Sequence, residues 1–217
     1  TELRNAATDE FSQPVGSQTT IVVNGPVDLT NEGASGDGLG VDVTVDGVTI
    51  EGAADDTAVS LTGDSGQEVF EITADDVTLQ DIATERTAGA AKLESQSVGS
   101  QAITIRDASG VTISNVDVTA GPGIGSGIAV LDGGDLDDAG TATDITIVDS
   151  SVSAADGTGP ISGINVAAAF GGEVDAVTVE DNDIEDADNG LTVSTTGGDL
   201  GASEPGTFGT DGVTVTD

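Results

Sequence analysis

Val111-Thr112-Ile113 is an apolar–Thr–apolar triplet, and the chain keeps returning to it. Val48-Thr49-Ile50, Val77-Thr78-Leu79, Ile145-Thr146-Ile147, Val177-Thr178-Val179 and Val213-Thr214-Val215 have the same form. The six copies start 29, 34, 34, 32 and 36 residues apart. Side chains alternate along a strand, so each triplet turns two apolar residues inward and one Thr outward. One such strand per repeat means a chain that winds as a solenoid. Aligned on the triplet, Thr49, Thr78, Thr112, Thr146, Thr178 and Thr214 form one outward ladder.

Further columns follow from the same alignment. Val118, Val152 and Ile184 lie seven residues after an inward start. A second strand type reads Gly-apolar-x-apolar at Gly127–Val130, Gly163–Val166 and Gly190–Val193, with earlier versions at Phe70-Glu71-Ile72 and Ile103-Thr104-Ile105. Asp81, Asn115, Asp149 and Asp181 mark a polar corner, where stacked like charges repel and where cations or high salt are expected to help. The expected fold is all-β: a single-stranded right-handed parallel β-helix of about six to seven coils. Residues 1–20 are read as an N-terminal cap or linker and 21–217 as the β-helix. Within the cap, Leu3, Ala7 and Phe11 make a short amphipathic stripe. The connections 131–144, 167–176 and 194–212 are read as loops leaving one corner, and 84–101 as a loop at another.

Composition agrees with a thin stacked core. Aromatic residues are 2% of 217, so Val, Ile, Ala and Thr must fill the interior, and 32 Gly serve the turns. Four Lys and Arg stand against 40 Asp and Glu, a net charge of −36. The periodic strands argue against disorder, and the balance reads as adaptation to high salt. At molar ionic strength the Debye length is about 3 Å and self-repulsion is screened. The charge excludes nucleic acid and anionic membrane surfaces as partners, and the sequence has no apolar run long enough to insert in a bilayer. With no His, Cys or Met there is no soft-metal centre.

Asp46-Gly-Val-Thr-Ile-Glu-Gly-Ala53, Val69-Phe-Glu-Ile-Thr-Ala-Asp-Asp-Val-Thr-Leu79 and Gly110-Val-Thr-Ile-Ser-Asn-Val116 resemble the right-handed parallel β-helix repeats of haloarchaeal surface proteins, in the pectate-lyase-like superfamily and the NosD-like repeat proteins. Ile21-Val-Val-Asn-Gly-Pro26 resembles the opening coil of such domains. The resemblance covers roughly residues 20–217 and implies a fold shared by lyases, hydrolases, tailspikes, adhesins and surface-layer proteins. The copper handling associated with NosD relatives has no His, Met or Cys to serve it here.

Chemistry is sparse. Sugar hydrolysis needs converging carboxylates, and the clusters on offer are Asp132/Asp135/Asp137/Asp138 and Asp181/Asp183/Glu185/Asp186. A lyase base would have to come from Arg4, Arg86, Lys92 or Arg106, and no Trp or Tyr provides a ring face for a sugar. Asp181-Asn-Asp183-Ile-Glu185 alternates oxygen ligands like the start of an EF loop, without its Gly or distal Glu. Asp181, Asp183 and Glu185 are therefore a weak surface site for Ca²⁺, Na⁺ or K⁺; no catalytic residue and no other cofactor is assigned. Gly121–Gly125 reads as a glycine-rich turn.

Val213–Asp217 is the first strand of another turn. It is read as a fragment of a longer solenoid, a head-to-tail contact between copies, or a frayed tail. The expectation is a non-enzymatic, extracellular or cell-surface structural subunit of a filament, appendage or surface layer in a halophilic archaeon. Its partner would be itself, head to tail, or a surface polysaccharide. The alternatives are a carbohydrate-binding or carbohydrate-cleaving β-helix and a viral fibre or spike segment.

Overall fold

The computed structural model describes residues 19–30, 40–53, 57–63, 68–88, 101–122, 124–132, 140–155, 159–169, 172–196 and 214–216. The stripe at Leu3, Ala7 and Phe11, Lys92, and three of the four acids in the Asp132 cluster (Asp135, Asp137 and Asp138) lie outside the described residues.

Each turn crosses three faces. The opening turn lays down β1 (Thr19–Val23), β2 (Val27–Asp28) and β3 (Val41–Val43), and the next β4 (Val48–Gly52), β5 (Ala58–Gly63) and β6 (Phe70–Ile72). In the following two turns one long strand bends over a corner and serves two faces: β7 (Thr78–Ala88) before β8 (Gln101–Arg106), and β9 (Thr112–Ala120) before β10 (Ser126–Leu131). Then come β11 (Thr141–Val148), β12 (Ser151–Ala154) and β13 (Ser162–Ala169), followed by β14 (Glu173–Glu180), β15 (Asp183–Ile184) and β16 (Asn189–Thr196); β17 (Thr214–Thr216) opens another turn.

The first face stacks β1-β4-β7-β9-β11-β14-β17, the second β3-β6-β8-β10-β13-β16, and the third β2-β5-β7-β9-β12-β15. The result is an all-β parallel solenoid. Four turns, β4–β6, β7–β8, β9–β10 and β11–β13, are hydrogen-bonded to neighbours on both sides of every face. The count of about four is lower than the six to seven expected from triplets, because the outer rungs are paired on one side or on only part of their faces.

The triplets behave as their alternation requires. Ile50, Val77, Leu79, Val111, Ile113, Ile145 and Ile147 are fully buried, and Thr49, Thr78, Thr112, Thr146 and Thr178 lie between them at the surface. The second face contributes Phe70/Ile72, Ile103/Ile105, Ile128/Val130 and Ile164/Val166, and the third Val59/Leu61, Val116/Val118 and Val152. β-branched side chains suit this narrow interior: they are stiff at χ1 and fill the gap between rungs without a large ring.

Glycines mark the closest approaches. A Cβ at Gly127 would lie 2.5 Å from Val152 Cγ1 and 2.9 Å from Gly163 O. One at Gly163 would strike Ile184 Cγ2 and lie 2.8 Å from Gly190 O. The Gly-apolar-x-apolar pattern is thus set by the turn that packs on top.

Two readings change. The 84–101 segment begins as strand, since β7 runs to Ala88, and Arg86 is an interior residue rather than a loop cation. The other expected loops shrink for the same reason: β11 starts at Thr141, β13 runs to Ala169, β14 starts at Glu173 and β16 runs to Thr196. Polar Thr, Ser and Asp at these edges continue the ladder because main-chain pairing with the neighbouring turn outweighs their turn preference.

Candidate functional site

Outward columns on a solenoid are its available surface, and three are distinctive. On the first face Thr20, Thr49, Thr78, Thr112, Thr146, Thr178 and Thr214 are direct partners from rung to rung. The neighbouring column is irregular, running Val22, Glu51, Gln80, Ser114, Val148, Glu180 and Thr216. Within it Gln80 Nε2 donates to Glu51 Oε2 at 3.0 Å.

The corners form the second set. After the first face, Asp81, Asn115, Asp149 and Asp181 all take positive φ, from 50° to 54°. Before it, Gly47, Asp76, Gly110, Asp144 and Ala176 do the same, from 52° to 72°. Asp and Asn tolerate this left-handed conformation better than other side chains, so much of the corner acidity answers a backbone need. Some carboxylates also tie turns together. Asp46 Oδ1 accepts from the Asp75 N–H at 3.0 Å, and Asp75 Oδ1 from the Ser109 N–H at 2.8 Å.

The weak cation site falls on such a corner. Asp181, Asp183 and Glu185 are exposed, with Ile184 turned toward the core between the last two. Asn182 is committed to the fold: Oδ1 accepts from Ser150 N at 3.0 Å, and Nδ2 donates to Ile147 O at 2.8 Å. The Asp183 and Glu185 N–H groups donate to Ser150 O and Val152 O, so the segment lies along the ladder instead of curling into a loop. Among the described residues no three acids gather closely enough to hold a metal ion. Asp132 is 2% exposed, and its carboxylate fills the space a side chain at Gly172 would need.

The third set is a mixed-charge cluster at the second face, and it is the strongest candidate for chemistry. It contains Arg106, one of the chain's four Lys and Arg. Arg106, the last residue of β8, places Nε 3.3 Å from Glu71 Oε1 on β6. Glu71 and Thr104 are direct partners across β6 and β8, and Thr104 Oγ1 is buried without a hydrogen-bond partner. Glu68, just before β6, has its carboxyl pushed above the ordinary range, chiefly by burial and further by the charge of Glu71, while Arg106 and Arg86 pull the other way. Arg86 is 1% exposed, and its Nη1 donates to Leu61 O at 3.3 Å and Thr87 O at 3.1 Å. Burial thus favours the protonated form of Glu68, while Glu71 is ion-paired with Arg106. Glu68 and Glu71 do not stand out in the sequence because 38 other acids share their type; only the rung register brings Glu71 to Arg106.

No helix among the described residues is long and apolar enough to cross a membrane. Comparison with protein-family models, with curated proteins and with solved structures gave no match.

Proposed function

We propose that the chain is a structural parallel β-solenoid of the pectate-lyase-like and NosD-like repeat type, secreted or displayed at the surface of a halophilic archaeon, where it forms part of a filament, appendage or surface layer. It acts by geometry and not as an enzyme. The observation that carries this reading is the outward threonine ladder from Thr20 to Thr178, kept in register from rung to rung. Ladder regularity of that kind serves rigidity and repetition. The net charge of −36 supports a saline setting, since in dilute buffer such a rod repels itself and its neighbours. The partner in this reading is another copy. Ordered fibres or sheets in electron micrographs of the purified chain in molar salt, persisting over a dilution series, are the expected result. Dispersed single particles at every concentration would overturn the reading.

The Glu68, Glu71 and Arg106 cluster favours a second reading, a carbohydrate-binding or carbohydrate-cleaving β-helix. A carboxyl raised above its ordinary range and an ion-paired carboxylate are groups of the kind such chemistry uses. Glycan-array binding that Glu71→Gln abolishes would promote it over the structural role.

A further inference from the structure

The three faces differ in what they present to solvent. Along β7, β9, β11 and β14 the outward positions of the first face are Thr78 and Gln80, Thr112 and Ser114, Thr146 and Val148, and Thr178 and Glu180. All of them reach solvent, and Glu180 is the one acid among them in a chain that carries 40. Acids stand instead along both borders of this strip. Asp76 and Asp144 lie exposed in the corner before it, and Asp81, Asp149 and Asp181 lie exposed in the corner after it. The third face places Glu85, Asp117, Asp183 and Glu185 outward. On the second face the outward Thr104 and Ala129 are 0% exposed, so the middle of that face is already covered.

A centre depleted of charge inside a charged border is the plan of a protein contact. Period and charge select the occupant. Rungs of a parallel sheet repeat at about 4.8 Å, and side chains one rung apart interdigitate with a ladder of the same period. A second copy of this chain has that ladder, and a patch that pairs with itself is the isologous contact of two-fold dimers. With a net charge of −36, two copies meeting through the third face would press acids onto acids, at a cost the first face avoids. We propose that the first face is a lateral docking surface for a second copy of the chain, ladder against ladder, with salt cations screening the carboxylates of the two borders. The inference rests on the structural role proposed above and names the face through which copies meet. From Thr20 to Thr178 the strip is about 24 Å long and about 16 Å wide. It covers roughly 400 Å² per copy, half of what a stable pair of ordinary size buries on each side. A single pair is therefore weak, and it forms at high protein concentration and high salt, where the borders are screened.

The test is sedimentation of the chain over a series of protein and salt concentrations, joined to cross-linking through single cysteines, since the sequence has none of its own. The expected result is a shift from monomer to dimer as salt and protein concentration rise. A bismaleimide then couples Thr112→Cys, on the first face, and leaves Thr119→Cys, on the third, uncoupled. Thr112→Glu with Thr146→Glu brings like charges into the contact and weakens association at least about 10-fold, while circular dichroism shows the fold intact. Should that double variant fail to fold, the cysteine pair still decides. Monomer under every condition overturns the proposal. So does a dimer that the double glutamate variant leaves unchanged, or one in which Thr119→Cys couples as readily as Thr112→Cys. Fibres in micrographs without coupling through Thr112→Cys overturn this contact and leave the structural role standing. First-face dimers that never extend to fibres or sheets uphold the contact and overturn the role.

Discussion

Asn115 donates from Nδ2 to Asp81 Oδ1 at 2.7 Å, across two adjacent turns, with both residues in the left-handed backbone region. The contact puts a neutral donor into a corner column that otherwise stacks Asp81, Asp149 and Asp181. Like charges one rung apart destabilise a sheet, and salt screens them. Asn115→Asp should keep the backbone conformation and lose the donor. It lowers the thermal midpoint by about 2–4 °C in dilute buffer and by clearly less in molar salt. An equal loss at both salt concentrations, measured by circular dichroism, would locate the effect in the hydrogen bond alone.

Glu68 carries a pH dependence of defined sign. Its carboxyl is raised above the ordinary glutamate value of 4.5 in the folded chain, first by burial and then by Glu71. The ionised form is therefore the one folding disfavours. The stability this group contributes is fully present below the ordinary value and is lost as pH rises through the higher folded value. Glu68→Gln removes that loss, so the variant gains stability relative to the parent on going from acid to neutral pH. Urea midpoints at a series of pH values check it; a constant difference between the two proteins would refute the assignment.

Arg86 is buried where an apolar side chain would be expected, among Val59, Leu61 and Ile82 on the third face. Its guanidinium caps the Leu61 and Thr87 carbonyls. Arg86→Met keeps the stem and removes both charged donors, at a cost of about 1.5–3 kcal/mol for hydrogen bonds from a charged group. Arg86→Lys recovers little, since an ammonium lacks the planar fork that spans two acceptors. Denaturant unfolding of the two variants and the parent measures both effects.

Gly163 faces Ile184 and the Gly190 carbonyl, so even one methyl forces the third-face and second-face strands of the next turn apart. Gly163→Ala is expected to lower stability by about 1–3 kcal/mol, the range for overpacking a close-packed interior. Adding Ile184→Ala to Gly163→Ala should return part of the loss, and a double variant no better than the worse single one would argue against that contact.

Much of the fold was legible because a solenoid repeats its evidence. The Val-Thr-Ile triplets, the Phe70-Glu71-Ile72 and Gly-apolar-x-apolar strands and the Asp81, Asn115, Asp149 and Asp181 corner all occupy the columns their spacing implies. The third face was harder to read: β7 and β9 carry Ile82 and Val116 around the corner in the same strand, and nothing local in the sequence says that a strand continues through a left-handed residue. Arg86 was misread as a loop cation because charge predicts exposure, and only the positions of the Leu61 and Thr87 carbonyls explain its burial. The Glu68, Glu71, Thr104 and Arg106 cluster joins residues separated by as many as 38 positions, and no short motif spans that distance.

Periodicity alone determined that this chain is a parallel solenoid with a β-branched interior, an outward threonine ladder and an acidic surface, since inward and outward positions repeat with the pleat and each turn obeys the same steric rules. Rung register, decided only in the tertiary structure, set which acids hold the backbone, which carboxylate pairs with Arg106, and which glycines leave no room for a side chain. Those properties depend on contacts between turns some 30 residues apart, as in the Asn115–Asp81 pair at a separation of 34, and a local pattern carries no record of what lies one turn above it.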